Sequence, residues 1–471
     1  MSIDAKQLME AGWKSGPALG LALKAAHALE EKGDSTEDIL GRLDCARTSP
    51  GNYLNDDVLG PLAQRLMKDA AWKSSHYDLR SEPVRYSVWG ANAIEPAALE
   101  QMDNACRLPV AVAGAQMPDG HVGYGLPIGG VLATRNAVIP YGVGVDIACR
   151  MKLSIMEESA SRIAGWKDRL AKTLISETAF GMGAEFRGAA RRDHEVMEDE
   201  AWADLPGQLR KLRDRAWSQL GSSGSGNHFV EFGELVLDTE ELGLAPGRYL
   251  ALLSHSGSRG LGANTAKHFT DLAMELCHLP KQHRHLAWLN LDEEPGQQYW
   301  YAMELAGRYA SANHDLIHRQ VLRAAGLRPF VQIENHHNFA WRELVNGEEF
   351  IVHRKGATPA GEGVLGIIPG SMGDPGYVVR GKGHPKSLNS AAHGAGRRMS
   401  RTAAKNSITR HQVKDYLRDR GVELLAGGTD EAPMAYKNID EVMAAQKDLV
   451  KPLAKFLPRI VLMANDGTAE D

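Results

Sequence analysis

The sequence predicts an α+β protein, a large mixed α/β domain with a small helical N-terminal unit. Three observations carry this. The first 84 residues place apolar side chains at helical spacing and are poor in Gly and His clusters. From Arg85 onward short apolar runs alternate with Gly-rich loops, the pattern of buried strands. Longer amphipathic stretches lie between those runs, and neither an internal repeat nor a low-complexity tract argues for a solenoid. The two parts are therefore expected at 1–84 and 85–471.

Taken in order, LGLALKAAHALEEKG from Leu19 has Ala and Leu at helical spacing and stops at Gly33. In STEDILGRL, Ser35 followed by Glu37 and Asp38 reads as a helix N-terminus. VLGPLAQRLMKDAA, from Val58, is a third helix of the N-terminal unit. Beyond it LPVAVAGAQM, GVLAT, RYLALLSH and EFIVHRKG are expected as strands. RIAGWKDRLAKTLI, DLPGQLRKLRDRAWSQL and GQQYWYAMELAGRYASANHDLIHRQVL are expected as helices, the last with aromatics, Leu and Ala on one face.

Composition narrows the class. Apolar residues at 43% and charged residues at 24% suit an ordinary folded chain and not a disordered one. A net charge of −5 argues against a general polyanion coat but leaves room for a local basic groove. No uninterrupted run of about 18 apolar residues is present, so a membrane span is excluded. The opening MSIDAKQLMEAGWKSG lacks the basic-then-apolar layout of a signal peptide, and a cytoplasmic location is expected. Cys45, Cys106, Cys149 and Cys277 are too few for a disulfide scaffold. Glycine, with 49 residues in 471, exceeds its usual share of about 7% and points to sites shaped by backbone.

Six Gly-rich places hold the polar residues that need explaining. They are Met117-Pro-Asp-Gly-His121, Gly142-Val-Gly-Val-Asp146-Ile-Ala-Cys149, Gly224-Ser-Gly-Asn227-His228, Ser254-His255-Ser-Gly-Ser-Arg259, Asn335-His336-His337-Asn338 and His393-Gly-Ala-Gly-Arg397. Loops carry function because a scaffold can aim their side chains. Neutral imidazoles with a thiolate and a carboxylate form a borderline-soft ligand set, suited to Mn, Fe, Co, Ni or Zn. Singly, a His-Gly pair is an ordinary turn, Asn-His-His-Asn a helix cap, and a Cys a small buried apolar residue. Periodicity does not produce their joint occurrence, and these residues alone indicate a transition-metal hydrolase or transferase. Val352-His-Arg354-Lys355-Gly-Ala-Thr358 and Pro369-Gly-Ser371-Met-Gly373 add cations and backbone N–H groups, the ingredients of a phosphate site. Arg259, Arg397, Arg398 and Arg401 add guanidinium groups suited to bidentate contact.

From about Pro109 to Lys437 the motifs MPDGHVGYGLPIGG, GVGVDIAC, GNHFVE, HSGSRG, HHN, HRKGAT, PGSMG, HGAGR and DEAPMAYKNIDEV stand in an order that resembles the RtcB family of GTP-dependent RNA ligases. The resemblance implies a ligase that joins a 2′,3′-cyclic phosphate or 3′-phosphate RNA end to a 5′-hydroxyl end, in RNA repair or tRNA splicing. It implies two Mn²⁺ ions, one on Asp146, Cys149 and His228, the other on Cys149, His255 and His337. His393 matches the residue that carries GMP. Asn227, Phe229, Glu231, Ser371, Tyr436, Gly394 and Gly396 match the GTP pocket, with Glu231 accepting from the guanine edge. Arg259, Lys355 and Arg397 match cations near phosphates or RNA. The motifs name no activating protein partner.

Four features depart from the family pattern. Ala148 stands where Gly is usual, and Arg150 follows the bridging Cys149, where it either binds phosphate or points outward. Gly376 replaces a Ser of the guanine pocket, and Ala464 aligns with a Lys that reaches the guanine. The helical N-terminal unit has no counterpart in shorter members. Two other readings follow: a metal-dependent RNA 3′-end phosphodiesterase without ligation, and a non-catalytic RNA-binding regulator.

Overall fold

The computed structural model describes residues 3–14 and 16–465, with the backbone alone for 71–74. It divides into two compact units, Met1–Tyr77 and Asp78–Asp471. The division falls ahead of the one drawn from composition after residue 84. The reason is local: the Arg80 N–H donates to Arg107 O at 2.8 Å and the Val84 N–H to Cys106 O at 2.9 Å, so this segment already belongs to the second unit.

The N-terminal unit holds the helices Ala5–Glu10, Pro17–Glu31, Thr36–Thr48 and Gly60–Ser74. Ser35 caps the third, its Oγ accepting from the Asp38 N–H at 3.2 Å. The first helix was not expected from the sequence. Its only signal is the Asp4–Gln7 capping box, and one buried Leu8 is too little for periodicity to register. Leu8, Trp13, Ala26, Leu29, Ile39, Leu43 and Leu62 close a core of its own.

Two larger sheets, among the described residues, organise the second unit. A five-stranded sheet runs in the order Tyr86–Val88, Ala111–His121, Ile128–Thr134, Glu348–Lys355, Phe339–Val345. The other runs Leu365–Ile368, Gly376–Gly381, Val450–Met463, Phe229–Leu237, Gly247–Ser256, Arg150–Ser159, Val331–His336, with Glu423–Ala426 beside Val450–Met463. Successive side chains on a strand face opposite ways. Leu250 and Leu252 therefore pack with Leu170 and Leu174 of the helix Arg162–Glu177 and Ile317 and Val321 of the helix Glu294–Ala325. Ala251 and Leu253 pack on the other face with Ile333 and Phe456. Both faces are buried, which is why RYLALLSH reads as a continuous apolar run. Each fully buried Leu contributes roughly 1.5–3 kcal/mol.

The helix Glu294–Ala325 begins with Pro in its first turn and ends on Gly326 at φ 65°, so both its limits are local in origin. Two expectations change. The stretch 204–220 is not one helix but two short ones, Gly207–Arg210 and Arg213–Gln219, after a break at Pro206. Between them the Leu212 N–H bonds Leu209 O at 2.9 Å, three residues back, which tightens the turn. LPVAVAGAQM extends further than its apolar run, because the strand Ala111–His121 continues through Pro-Asp-Gly-His. His121 thus sits on a strand end. Among the described residues no helix is long and apolar enough to cross a membrane.

Candidate active site

The larger sheet gathers the donor side chains through register alone. Phe229 pairs with His255, Met151 with His255, and Arg150 with His336. Antiparallel pairing brings the starts of two strands and the ends of two others to one edge. His228 precedes the strand Phe229–Leu237, Cys149 precedes Arg150–Ser159, His255 lies in the last turn of Gly247–Ser256, and His337 follows Val331–His336. The His337 N–H donates to Cys149 O at 2.9 Å and fixes the last of these.

There Cys149 Sγ lies 3.4 Å from His228 Nε2 and 3.1 Å from His255 Nε2. His255 Nε2 is 3.2 Å from His337 Nε2, and His228 Nε2 is 3.1 Å from Asp146 Oδ2. All five residues are buried, and they form two groups that share Cys149: Asp146, Cys149, His228 and Cys149, His255, His337. Ligand atoms held at about 2.0–2.3 Å around one ion lie roughly 2.8–3.7 Å apart for angles between 90° and the tetrahedral value, so these separations fit metal coordination. The two imidazole nitrogens facing each other across 3.2 Å can share one N–H as a hydrogen bond or turn their lone pairs to one ion. Burial, with the neighbouring His228, drives His255 down to about 3, which keeps it a neutral donor. Burial alone would raise Asp146; the His228 imidazole, Cys149 and the Ser258 N–H pull it down to about 2.

The surroundings hold the donors in place. The His255 Nδ1–H donates to Asn227 O at 3.3 Å, so Nε2 presents its lone pair to the cluster. The Ser258 N–H donates to Asp146 Oδ1 at 3.0 Å. Gly257 is required here, since a Cβ on it would meet that carboxylate at 2.0 Å. From the helix Glu294–Ala325, Asn313 accepts from the Gly221 N–H at 2.6 Å and donates to Ser222 O at 2.9 Å, steadying the loop that leads to His228. Ala148 adopts φ 57°, a left-handed conformation that explains why glycine is the easier residue there.

His393 enters from the other side. The strand Ser390–Ala392 pairs with Ala357–Pro359 and delivers it with its ring centroid 4.8 Å from that of His337. Its Nδ1 is 2.7 Å from Oδ2 of the fully buried Asp119, and its backbone N–H reaches the same oxygen at 3.1 Å. With Asp119 as the acceptor, Nδ1 carries the hydrogen, and in the neutral imidazole that leaves the lone pair on Nε2. Gly396 lets this loop close on the Asp119 strand: at φ 73°, a Cβ would lie 2.1 Å from Asp119 O.

One cleft is lined by all five donors, His393, Asn227, Phe229, Glu231, Ser371, Gly394, Gly396, Arg397 and Tyr436. Glu231 is buried in it with Oε2 lacking a hydrogen-bond partner among the described residues, and desolvation raises its carboxyl well above the usual range. Ser371 Oγ donates to Asp374 Oδ2 at 2.6 Å. The Tyr436 hydroxyl donates to Glu431, and Arg397 caps the Tyr436 ring at 5.2 Å. Gly376 lines the same cleft, and a Cβ there would meet nothing nearer than 3.4 Å, so a side chain is missing where space exists. Met463 lines the cleft, while Ala464 is not among its lining residues. A broader cavity of about 740 Å³ shares Asp146, Asn338, Arg397 and Arg401 with the cleft and adds Lys355, Arg398 and Lys437.

Three cations depart from expectation. Arg259 does not line either cavity; its guanidinium donates to Ser222 Oγ at 3.1 Å and Gly181 O at 2.7 Å, bracing the loop before His228. Arg354 is 1% exposed and bonds Glu343 at 2.6 and 2.9 Å, Ser390 Oγ and Leu388 O, so it is a core cation and not a phosphate ligand. Arg150 neither binds in the cleft nor points outward. It is buried, paired with Glu334 and donating to Gly307 O at 2.9 Å. Removing one partner of a buried pair exposes the other's desolvation cost. Glu334 is part-buried and keeps Lys152 and Ser311, so Arg150→Met is expected to lower unfolding stability in a urea titration by less than the ~3–5 kcal/mol of a fully buried pair.

Asp119, Glu431, Lys437 and Asn338 were given no role from the sequence. Lys437 Nζ donates to Pro118 O at 3.1 Å and Gly120 O at 2.7 Å, clamping the end of the strand that carries Asp119. Glu431 holds both Arg397 and Arg401 at 2.7 Å. Asn338, at φ 58°, accepts from the Gly356 N–H at 2.7 Å. All four lie inside the quoted motifs, which was the available signal.

Comparison with known proteins agrees with this geometry. The family model described as "tRNA-splicing ligase RtcB" matches residues 101–464. The RNA-splicing ligase RtcB of Escherichia coli (strain K12) is 36% identical over 413 residues, covering 79% of this chain and 96% of that protein. The tRNA-splicing ligase RtcB of Thermococcus kodakarensis is 32% identical over 415 residues, with 73% of this chain and 86% of that protein covered. An RNA-splicing ligase RtcB homolog of Entamoeba dispar is 30% identical over 463 residues, with 83% and 82% covered.

Proposed function

The chain belongs to the RtcB family and is an RNA ligase, and we propose that it joins RNA 2′,3′-cyclic phosphate or 3′-phosphate ends to 5′-hydroxyl ends through a GMP adduct on His393. The observation that carries this reading is the Asp119–His393 pair set beside five buried metal donors. The donor set suits two divalent transition-metal ions, and the family resemblance makes them Mn²⁺; Asp146, Cys149 and His228 would hold one and Cys149, His255 and His337 the other. When bound, they would offset phosphate charge and act as Lewis acids.

The rest follows from the chain's own residues. Asp119 holds the proton on Nδ1, so His393 Nε2 attacks the α-phosphorus of GTP and pyrophosphate leaves. The buried negative charge of Asp119 stabilises the imidazole as it becomes positive. Glu231 offers its unpartnered carboxyl oxygen to the N–H edge of guanine, and Phe229 and Tyr436 wall the base. A cyclic phosphate is first opened by water to a 3′-phosphate. That phosphate then attacks the adduct, the P–N bond breaks, and His393 is restored while the RNA carries a 3′-diphosphate-linked guanosine. The 5′-hydroxyl displaces GMP and forms the new phosphodiester. Arg397 and Lys355, at the two cavities, are placed to meet phosphates. The proposed setting is RNA repair or tRNA splicing in the cytoplasm.

The test is a gel assay of a cyclic-phosphate RNA with a 5′-hydroxyl RNA in Mn²⁺. A joined strand with GTP and none without it is expected. Loss of the cyclic phosphate without joining, at any GTP concentration, would leave only a hydrolase.

A further inference from the structure

We propose that Tyr124, backed by Tyr141 and His285, is a stacking platform that seats the base of an unpaired nucleotide at an RNA end entering the broad cavity. The inference rests on the ligase reading and adds a substrate contact to it.

Tyr124 is 61% exposed, in the loop between the strands Ala111–His121 and Ile128–Thr134. Packing gives no reason for an aromatic ring to stand there. Nor is it isolated. Its centroid lies 6.2 Å from Tyr141 and 6.1 Å from His285, and Tyr141 lies 4.9 Å from His285. Tilted and edge-on contacts of this kind hold a ring in place while leaving an outer face open. Cations accompany it: Lys355 Nζ donates to Tyr124 O and lies 5.7 Å from the Tyr141 ring.

Tyr124 and Tyr141 line the same cavity as Lys355, Arg398 and Lys437, and that cavity reaches the metal-donor residue Asp146. An open aromatic face in a cavity that also holds cations, leading to a site of phosphate chemistry, is what a single strand needs. Phosphates meet the cations, and any base can stack on the ring. The guanine of GTP is not a competitor for this ring, since Tyr124 lies outside the cleft lined by Glu231.

The test measures anisotropy of labelled single-stranded RNAs, ending in a 3′-phosphate or a 5′-hydroxyl, on the full-length wild type, Tyr124→Ala and Tyr124→Trp. Each RNA is made with and without the base of its terminal nucleotide. Loss of one stacked base should weaken binding by about five- to a hundred-fold. Tyr124→Ala should show that loss with the intact end, Tyr124→Trp should not, and the abasic end should weaken wild type but not Tyr124→Ala any further. The end that shows this pattern is the one seated. Binding within twofold of wild type for Tyr124→Ala, or an equal abasic loss in both proteins at both ends, would overturn the proposal. Equal melting temperatures separate these results from misfolding. Binding needs no GTP, so failure of the platform and failure of the ligase reading are seen separately.

Discussion

Asp119→Asn is expected to slow GMP transfer to His393 by about 10²–10⁴-fold, the range that a general-base partner's loss produces. The amide can face the imidazole in two ways. With its NH₂ toward Nδ1 it forces the proton onto Nε2 and removes the attacking lone pair. With its oxygen toward Nδ1 it keeps the tautomer but loses the charge that stabilises the imidazole in the transition state. Asp119 Oδ2 also accepts the His393 backbone N–H at 3.1 Å, so position is affected as well as charge. The rate of adduct formation by intact mass checks this, with GTP affinity measured beside it. A fall in rate at unchanged GTP affinity and melting temperature is the signature. A rate within threefold of wild type would remove Asp119 from the mechanism.

Cys149→Ala should have the broadest effect, because Cys149 is the one residue common to both donor groups. Its Sγ lies within hydrogen-bonding distance of His228 and His255, and nothing else in the cluster touches both halves in this way. Each ion would keep only two side-chain donors, fewer than the three that hold a catalytic ion. The expected outcome is loss of both ions after dialysis, read by elemental analysis, and ligation below about one hundredth of wild type. His228→Ala, by contrast, lies in one group only and should release a single ion. Equal metal content in Cys149→Ala and wild type would mean that the thiolate does not bridge.

Much of the site was legible because its donors recur in short motifs whose spacing is local. Asp146 and Cys149 share a turn, and His255 stands near the end of the apolar run RYLALLSH, while the strands beside His228 and His337 were not among the expected ones. What the sequence could not show is where side chains go once strands are paired. Arg150, Arg259 and Arg354 are indistinguishable by residue type from phosphate-binding arginines, yet each is spent on buried carbonyls or carboxylates. Asp119 was hidden for the opposite reason. Its partner His393 is 274 residues away, and only the folded chain brings the strand Ala111–His121 beneath it. The helix boundaries followed local chemistry closely where Pro or Gly marks them, as at Gly326. They failed over 204–220, where the expected helix ran through Pro206, which ends it, and where a tighter turn at 211–212 leaves no sequence mark.

Intact mass spectrometry after incubation with GTP and Mn²⁺, beside His393→Ala and a parallel tube of ATP, tests the central claim most directly. An acid-labile GMP adduct on wild type and none on His393→Ala is the expected result. With Gly376 and Ala464 in place of polar partners, an AMP adduct in the parallel tube would mark relaxed base choice while leaving the chemistry intact. No adduct with either nucleotide, on protein shown to hold its metal, would contradict the account.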